Sequence, residues 1–322
     1  MNQTQQHLLR LLADGQPHSG QSLGDQLGIT RAAVWKHIKA LREAGLDIEG
    51  TTGAGYRLKH AVPLLDRALI QAALSGQTDA YEVIQVDYQV DSTNRLAMAY
   101  AGQGAAAFLA EQQTAGRGRR GRPWQSPLGA ALYLSVAWPL EAPAKGLSGL
   151  SLVAGLAVAD GLEEGYGLDV RLKWPNDVQI DGRKLGGILI ELSGDPEGPC
   201  RAVIGIGLNC LLPEAVSRLI DQPWTDLYRE LQSIPDRNQL AANILRQLAR
   251  QLPVFEREGF AAFQARWLAR DALQGQPVVV ALGERHVSGI ARGVDGDGAL
   301  CVATDQGEQR FSGGEVSVRP RS

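Results

Sequence analysis

The sequence predicts an α+β protein with an N-terminal winged helix-turn-helix, a central mixed β-sheet with helices, and a C-terminal small β-barrel. The prediction depends on a change of pattern along the chain. Short amphipathic helical patterns separated by glycines fill residues 1–60, strand and helix patterns alternate through the middle, and only short strands follow Gln276. We place the domains at 1–62, 63–272 and 273–322.

The composition is that of an ordinary globular protein with more than one domain. The chain has 322 residues, of which 21% are charged and 44% hydrophobic. Its net charge of −3 argues against a protein wholly devoted to nucleic acid. Residues 1–60 nevertheless hold seven Lys or Arg against five Asp or Glu, which leaves −5 for the remainder and permits a small DNA-binding end.

The cysteines and the apolar segments indicate a cytoplasmic protein. Three cysteines without CxxC spacing predict reduced thiols and argue against a disulfide framework. We find no signal peptide and no long apolar run, so we expect neither secretion nor a membrane span. The five histidines are scattered without the spacing of metal ligands.

The N-terminal region has the pattern of a helix-turn-helix with a wing. Helices are predicted at residues 5–13, 22–27 and 31–44. Gly28 would make the turn between the second and third helices, and Thr30 is a good N-cap for the third. A hairpin over residues 47–58 with a glycine-rich tip would form the wing.

The third predicted helix combines an apolar stripe with a basic outer face. The stripe is Val34, Ile38 and Leu41. Such a helix fits the major groove of DNA, and a domain this small needs two half-sites and hence a dimer. The alternative is a helical domain for protein contacts whose basic face is only solvated. The residues expected at DNA are Gly20, Ser22, Thr30, Arg31, Ala32, Trp35, Lys36 and Lys39.

The middle of the chain alternates strands and helices in an order that builds a mixed sheet. Strands are predicted at 81–90, 108–113, 131–138, 170–174, 178–180, 185–192 and 202–209. Helices are predicted at 64–74, 95–100, 147–166, 244–255 and 260–269. The predicted strands of the C-terminal barrel, which spans about 45 residues, are 277–282, 286–294, 300–304, 309–312 and 315–319.

A loop rich in arginine and glycine, GRGRRGR at residues 116–122, interrupts the central region. Glycine disfavours regular helix and strand, so no regular element is expected there. Arginine presents a rigid fork of donors that suits phosphate and carboxylate groups. We therefore interpret this segment, the Arg–Gly loop, as a cover for an anionic ligand. A solvated basic loop and a nucleic-acid patch are the alternatives.

Further motifs lie at strand ends or in hairpins of the predicted sheet. They are DSTN at 91–94, KWPND at 173–177, Lys184 after a hairpin turn, and Gly205 and Gly207 within a strand. Taken singly, the first three have structural explanations: Ser92 or Thr93 as a helix cap, KWPND as a plain turn, and the lysines as exposed side chains. Glycine inside a strand marks the close approach of a backbone or ligand. Together the motifs favour one shared pocket.

These motifs give the chain a resemblance, over essentially its whole length, to the bifunctional biotin–protein ligases and biotin-operon repressors of bacteria. The motifs that carry it are GRGRRG (116–121), DSTN (91–94), KWPND (173–177), GRKLGGIL (182–189), GIGLN (205–209) and TRAAVWKHI (30–38). The first is highly specific to the family, and the helix-turn-helix separates this type from shorter ligases. The resemblance implies a class II synthetase-like ligase domain and an SH3-like C-terminal barrel.

The resemblance implies a reaction in two steps. Biotin and MgATP give biotinoyl-5′-AMP and pyrophosphate, and the adenylate then acylates a lysine of the biotin carboxyl carrier protein of acetyl-CoA carboxylase. Cationic side chains would offset the repulsion between the biotin carboxylate and the α-phosphate. The residues implied as catalytic are Arg119, Lys184 and Asp177, with Asp177 as a candidate base for the acceptor lysine.

The resemblance also implies two sets of ligand-binding residues. Those for biotin are Ser92, Thr93, Asn94, Gln113, Arg117, Gly118, Arg119 and Lys184. Those for ATP and the adenylate are Gly116, Arg119, Arg120, Arg122, Trp124, Asn176, Asn209 and Trp224. Trp124 and the segment 211–224 would help to cover the adenylate.

The implied partners are the carrier protein, Mg²⁺ as a cofactor, and operator DNA of biotin biosynthesis genes. Bound adenylate would order the Arg–Gly loop, and the ordered surface would pair two central domains into a homodimer that presents two winged helices to a palindromic operator. Two alternatives stay open. One is a transcription regulator that senses biotin without catalysis, and the other is a ligase for lipoate or octanoate.

Overall fold

The computed structural model describes residues 1–51, 53–74, 76, 80–140, 149–194, 200–313 and 316–320. Parts of three predicted elements lie outside the described residues: position 52 of the wing, positions 147–148 at the start of a helix, and position 315 of the last strand. Within the described residues, the predicted fold class is confirmed in all three parts of the chain.

The N-terminal part is a winged helix-turn-helix. Its elements are α1 (Gln3–Leu12), α2 (Gly20–Leu27), α3 (Arg31–Glu43), β1 (Ile48–Thr51) and β2 (Gly55–Leu58). Thr30 caps α3 as predicted, with its hydroxyl accepting from the Ala33 amide at 3.2 Å. The second helix begins earlier than predicted because Ser19 is its N-cap and accepts from the Ser22 amide. The stripe of Val34, Ile38 and Leu41 is buried.

The central sheet has seven strands in the order β3-β4-β5-β9-β8-β7-β6. Its strands are β3 (Val83–Asp87), β4 (Ala106–Ala110), β5 (Ala131–Leu140), β6 (Arg171–Lys173), β7 (Asp177–Ile180), β8 (Arg183–Gly194) and β9 (Cys200–Asn209). The pair β3–β4 is parallel and the other pairs are antiparallel, so the sheet is mixed as predicted. The DSTN, Arg–Gly and KWPND segments all leave or enter strands of this sheet.

Helices cover the sheet. They are α4 (Arg67–Leu74), α5 (Thr93–Ala99), α6 (Leu150–Tyr166), α7 (Glu214–Ser217), α8 (Leu227–Leu231), α9 (Arg237–Glu258) and α10 (Gln264–Arg270). The short helices α7 and α8 were not predicted: α7 lies in the segment 211–224 that was expected to cover the adenylate, and α8 follows that segment. Helix α6 packs closely on α9 because Gly161 leaves room: a Cβ there would lie 3.1 Å from the Ile244 side chain.

The C-terminal part is a five-stranded antiparallel sheet in the order β13-β12-β11-β10-β14. The strands are β10 (Pro277–Leu282), β11 (Arg285–Val294), β12 (Leu300–Thr304), β13 (Gly307–Phe311) and β14 (Val316–Pro320). Its inward residues, such as Val278 and Val302, belong to the same apolar core as the central sheet and its helices. The two parts therefore share one core, and the boundary at residue 272 stays a prediction.

A buried ion pair within the central part holds the linker that follows the winged helix. Arg237 lies 2.7 Å from Glu111, and both side chains are almost fully buried. Glu111 also accepts from the Leu65 amide, and Arg237 donates to the Pro63 carbonyl, so the pair holds the linker after the wing. Such a pair specifies the position of the linker more than it adds stability, because desolvation offsets much of its attraction. Among the described helices, none has the length and apolarity needed to cross a membrane.

Candidate active site

One cleft of about 1220 Å³ brings the motifs together on the central sheet. It is lined by the DSTN segment, the Arg–Gly loop, the KWPND turn, Lys184 and the glycines of β9. The shared pocket that the sequence predicts is therefore present in the structure. All the predicted biotin and adenylate residues line the cleft except Gly116.

The inner wall of the cleft, which we call the neutral end, is formed by Ser92, Thr93, Asn94, Gln113 and Ser135. Gln113 Oε1 accepts from both the amide and the hydroxyl of Thr93, at 2.9 and 3.1 Å. The Ser135 hydroxyl lies 2.6 Å from Asn94 Oδ1 and 2.7 Å from Thr93 Oγ1. These side chains are uncharged and fix one another, so they offer a pre-formed set of polar groups to a neutral ligand ring.

The DSTN segment does more than cap a helix. Ser92 occupies the N-cap position of α5, but its side chain makes no capping hydrogen bond. It is nevertheless only 2% exposed and lines the cleft. Ser92 is thus the N-cap by position without a capping side chain, and Thr93 is the first residue of the helix, with its hydroxyl bonded to Gln113.

The two glycines of β9 give room to two side chains of the cleft. A Cβ at Gly205 would lie 2.2 Å from Asn94 Oδ1, and one at Gly207 would lie 2.7 Å from the Trp124 ring. Both distances are impossible for real atoms, so each position requires glycine unless the neighbour moves. The close approach predicted from glycine in a strand is confirmed, and the approaching groups are protein side chains.

The other half of the cleft, which we call the charged end, holds the four arginines of the Arg–Gly loop with Lys184, Asn176 and Asp177. Lys184 Nζ lies 2.6 Å from Asp177 Oδ1. Arg119 donates from Nη1 to Asn176 Oδ1 at 3.3 Å. Burial lowers the pKa of the Arg119 guanidinium, the Arg120 charge lowers it further, and Asp177 opposes both. The positive charges of Arg119 and Arg120 therefore repel each other, and an anionic ligand bound beside them would reduce that repulsion.

The Arg–Gly loop is ordered by its own backbone. Residues Arg119–Gly121 form a single 3₁₀ turn, where no regular element was expected, and Arg120 has a φ of 58°. The Gly118 amide donates to the Arg122 carbonyl at 2.8 Å, and the Trp124 amide donates to the Gly116 carbonyl at 2.9 Å. Gly116 is buried at the base of the loop, where a Cβ would lie 2.6 Å from Ser126 Oγ. Gly116 thus packs at the base of the loop and does not line the cleft, and its contact with the adenylate stays a prediction.

Glu191 on β8 is a residue that the sequence analysis missed. Its carboxylate accepts from Asn94 Nδ2 at 2.7 Å and lies 3.2 Å from Arg117 Nη2. It therefore connects the neutral end to the Arg–Gly loop. The sequence offered one indication of this role, because Glu191 is a charged residue inside the apolar strand pattern GGILIEL. Ser135 could have been found in the same way, since it is a polar residue inside an apolar strand pattern.

The predicted cover segment is attached to β8 and β9. Lys184 donates its amide to the Pro223 carbonyl, and its carbonyl accepts from the Thr225 amide, both at 2.9 Å. Asn209, predicted to bind ATP, lines the cleft and donates from Nδ2 to the Thr225 carbonyl at 3.0 Å. Trp224 lines the cleft, and the Arg229 guanidinium stacks 4.1 Å from its ring centroid. Asn209 thus holds the cover beside the cleft.

The predicted DNA-binding residues form an exposed face, with one exception. Gly20 is buried against Arg31 and Tyr56, so packing accounts for the glycine and its contact with DNA stays a prediction. Trp35 is 53% exposed although it is large and apolar. Arg42 lies beside this face, but its Nε donates to the Ile48 carbonyl at 2.9 Å and so braces the wing. The residues of the predicted set that are exposed are Ser22, Thr30, Arg31, Ala32, Trp35, Lys36 and Lys39.

Family models match all three parts of the chain. The Biotin/lipoate A/B protein ligase family matches residues 87–209, which contain the cleft motifs. An HTH domain model matches residues 4–57, and the Biotin protein ligase C terminal domain matches residues 274–319.

Individual relatives match over nearly the whole length. The chain is 41% identical to the Bifunctional ligase/repressor BirA of Escherichia coli (strain K12), over 97% of this chain and 96% of that protein. It is 36% identical to the Biotin–[acetyl-CoA-carboxylase] ligase of Mycobacterium tuberculosis, over 79% of this chain and 96% of the relative. Among solved structures, the biotin protein ligase from Aquifex aeolicus in complex with biotin and ATP has a TM-score of 0.66 at 30% identity, covering 75% of this chain and all of that one.

Proposed function

Since the chain belongs to the biotin protein ligase family, among its ligase/repressors with an N-terminal helix-turn-helix, we propose that it joins biotin to a carrier protein and represses biotin genes. The single observation that supports the proposed ligase activity is the cleft, in which a neutral hydrogen-bonding end adjoins a charged end. An acid with a polar, uncharged head would place its carboxylate among the cations. The related ligase from Aquifex aeolicus has been solved in complex with biotin and ATP.

The first step is attack of the biotin carboxylate on the α-phosphorus of ATP, which forms the mixed anhydride and releases pyrophosphate. Arg119 and Lys184 offset the charge that gathers on the α-phosphate as the new bond forms. Their guanidinium and ammonium groups already face the cleft beside Asn176 and Asp177. Arg120 and Arg122 are exposed on the same loop and attract the nucleotide from solution.

In the second step a lysine of the biotin carboxyl carrier protein attacks the acyl carbon, and AMP leaves. The acceptor amine must lose a proton. Asp177 is the carboxylate of the charged end, and its partner Lys184 orients it through an ion pair of 2.6 Å. We propose Asp177 as the base. The cover segment and the Arg–Gly loop shield the anhydride from water.

Mg²⁺ fits this site as a companion of the nucleotide. It takes hard oxygen ligands and often one or two carboxylates together with substrate phosphates. Asp177 and Asn176 supply a carboxylate and an amide oxygen beside the cations. The ion would supply further charge neutralisation on the phosphates, and these two residues are the ones that would hold it.

The repressor half is proposed from the winged helix. Adenylate orders the Arg–Gly loop, two central domains pair, and the dimer places two copies of α3 on a palindromic operator in the cytoplasm. Phosphates would be contacted by Arg31, Lys36 and Lys39, and bases from the start of α3. The exposed face that carries these residues supports this proposal.

The enzymatic half is tested by pyrophosphate exchange into ATP with biotin, with lipoate and with no acid. Exchange with biotin alone is the expected result. Exchange with lipoate would move the protein to the lipoate or octanoate ligases, and no exchange with any acid would leave a biotin-sensing regulator.

The repressor half is tested by fluorescence anisotropy of operator DNA with and without biotinoyl-5′-AMP. We expect adenylate to tighten both dimerisation and DNA binding, and the affinity to fall steeply as salt rises. A dimerisation constant that is the same with and without adenylate would refute this half.

A further inference from the structure

Trp174 joins the KWPND turn to the C-terminal sheet. Its side chain is 2% exposed, and its indole Nε1 donates to the Gly298 carbonyl at 3.1 Å in the core. Gly298 belongs to the turn between β11 and β12. A buried hydrogen bond that crosses two parts of the molecule fixes their relative position, because neither group has water as a substitute partner.

The turn that receives this hydrogen bond is itself rigidly seated. Gly298 has a φ of +80°, and a Cβ there would lie 2.9 Å from Gly149 Cα and 3.1 Å from the Leu152 side chain. Within the turn, the Gly298 amide donates to the Asp295 carbonyl, and the Ala299 amide donates to the Asp295 carboxylate, both at 3.0 Å. The Gly298 carbonyl is therefore a fixed acceptor packed against the start of α6.

The KWPND turn is held on its other sides as well. The Ser151 hydroxyl donates to the Pro175 carbonyl at 2.9 Å. Asn176 and Ile188 exchange two hydrogen bonds of 2.9 Å: Asn176 Nδ2 donates to the Ile188 carbonyl, and the Ile188 amide donates to the Asn176 carbonyl. The turn at Gly298, helix α6 and strand β8 thus hold the KWPND turn in the position in which Asn176 contacts Arg119 and Asp177 contacts Lys184.

We propose that Trp174 is a positioning residue of the adenylation step, and that the C-terminal sheet sets the geometry of the charged end through the Gly298 carbonyl. This inference rests on the proposed ligase function. Trp174 acts through its neighbours, because its indole N–H is committed to Gly298. The neutral end, built from α5, β5 and the Gln113 segment, does not depend on this contact. Loss of the contact therefore affects the phosphate chemistry and spares biotin binding.

The test is Trp174→Phe, which removes the indole N–H and keeps an aromatic ring. We expect the turnover number of biotin-dependent pyrophosphate exchange to fall about tenfold, less than the roughly hundredfold cost of a 1 Å misplacement. The dissociation constant of biotin measured without ATP should change less than about twofold. Trp267→Phe is the matched control, because Trp267 is equally buried and does not line the cleft. It should leave the turnover number unchanged at a comparable loss of thermal stability.

A second variant changes the acceptor of the same hydrogen bond. Gly298→Ala places a methyl group against Gly149 and displaces the acceptor, so it should reproduce the split between turnover and biotin affinity. Gly307→Ala is its control, since Gly307 also has a positive φ but a Cβ there would meet open space. Equal turnover in Trp174→Phe and Trp267→Phe, or equal losses of turnover and biotin affinity, would overturn the positioning role. Absence of exchange in the wild-type chain would instead refute the ligase function.

Discussion

The neutral and charged ends of the cleft are built by different means. Thr93, Asn94 and Gln113 are bonded to one another or to Ser135 and are largely buried, and Asn94 depends on Gly205 of β9 for its space. The arginines of the Arg–Gly loop lie mostly at the surface and are positioned by a single turn and a few side-chain contacts. The difference supports the proposal that the neutral end selects the acid by shape and that the charged end performs the chemistry and adjusts to its ligand.

The two largest expected effects are of similar size, and the first comes from crowding the neutral end. In Gly205→Ala the new methyl group would lie 2.2 Å from Asn94 Oδ1, so Asn94 must leave its place between Ser135 and Glu191. We expect biotin affinity to fall by about 2–4 kcal/mol, the scale of overpacking together with a broken hydrogen-bond network. Isothermal titration with biotin measures it. Gly187→Ala on the adjacent strand is the control, because its Cβ would meet Lys184 at an ordinary 3.5 Å.

The next effect separates the two ends. Lys184→Gln removes the ammonium group that faces Asp177 and the Trp124 ring. Loss of one preorganised charge at a transition state costs about 3–4 kcal/mol, so pyrophosphate exchange should slow by roughly 10²–10³-fold. Biotin binding without ATP should weaken by less than about tenfold. A loss of biotin affinity as large as the loss of rate would show that the ends are not separable. Lys39→Gln on the surface of α3 serves as the control substitution.

A smaller effect is expected where the two ends meet. Glu191→Gln removes the charge that holds Arg117, and a carboxamide can donate as well as accept, so the orientation of the Asn94 amide is no longer fixed. The ion pair is half-exposed, so its loss costs only about 0.5–1 kcal/mol. Proteolysis of the Arg–Gly loop should quicken a few-fold, and biotin affinity should fall a few-fold. Unchanged rates of loop cleavage would remove Glu191 from this role.

The smallest expected effect is on how the free energy of unfolding depends on pH, and it involves Asp271. Burial raises the pKa of Asp271 from 3.8 to about 6, against one hydrogen bond from the Leu273 amide. The folded state therefore favours the protonated acid, and this stabilisation is complete below pH 3.8 and is lost as the pH rises through about 6. Asp271→Asn should raise the free energy of unfolding by about 1–2 kcal/mol at pH 8.

The gain from Asp271→Asn should shrink towards zero near pH 4, and thermal melts at the two pH values measure it. A gain that is the same at both pH values would mean that the ionisation of Asp271 is not its cause. Asp169→Asn, at an exposed carboxylate of the same region, is the matched control and should show no such dependence.

The comparison also explains what the sequence could and could not predict. Strand and helix periods, Thr30 as a cap and the clustering of the motifs were readable, because each follows from local chemistry. The sequence places Ser92 correctly at the N-cap of α5, but it does not show that the Ser92 side chain makes no capping hydrogen bond. Glu191 and Trp174 act across long sequence separations, to Asn94 and to Gly298, and no local pattern encodes such partners. Gly116 and Gly20 share motifs with their neighbours but are packing positions.

The most direct test of the division between the two ends compares Gln113→Ala with Arg119→Gln in the same preparation. Gln113→Ala leaves the Thr93 amide and hydroxyl without their acceptor, and Arg119→Gln removes a cation beside Asn176. Biotin binding without ATP and biotin-dependent pyrophosphate exchange are both measured. We predict that Gln113→Ala loses affinity and rate by the same factor, whereas Arg119→Gln loses mainly rate. Equal losses of affinity in the two variants would contradict the account.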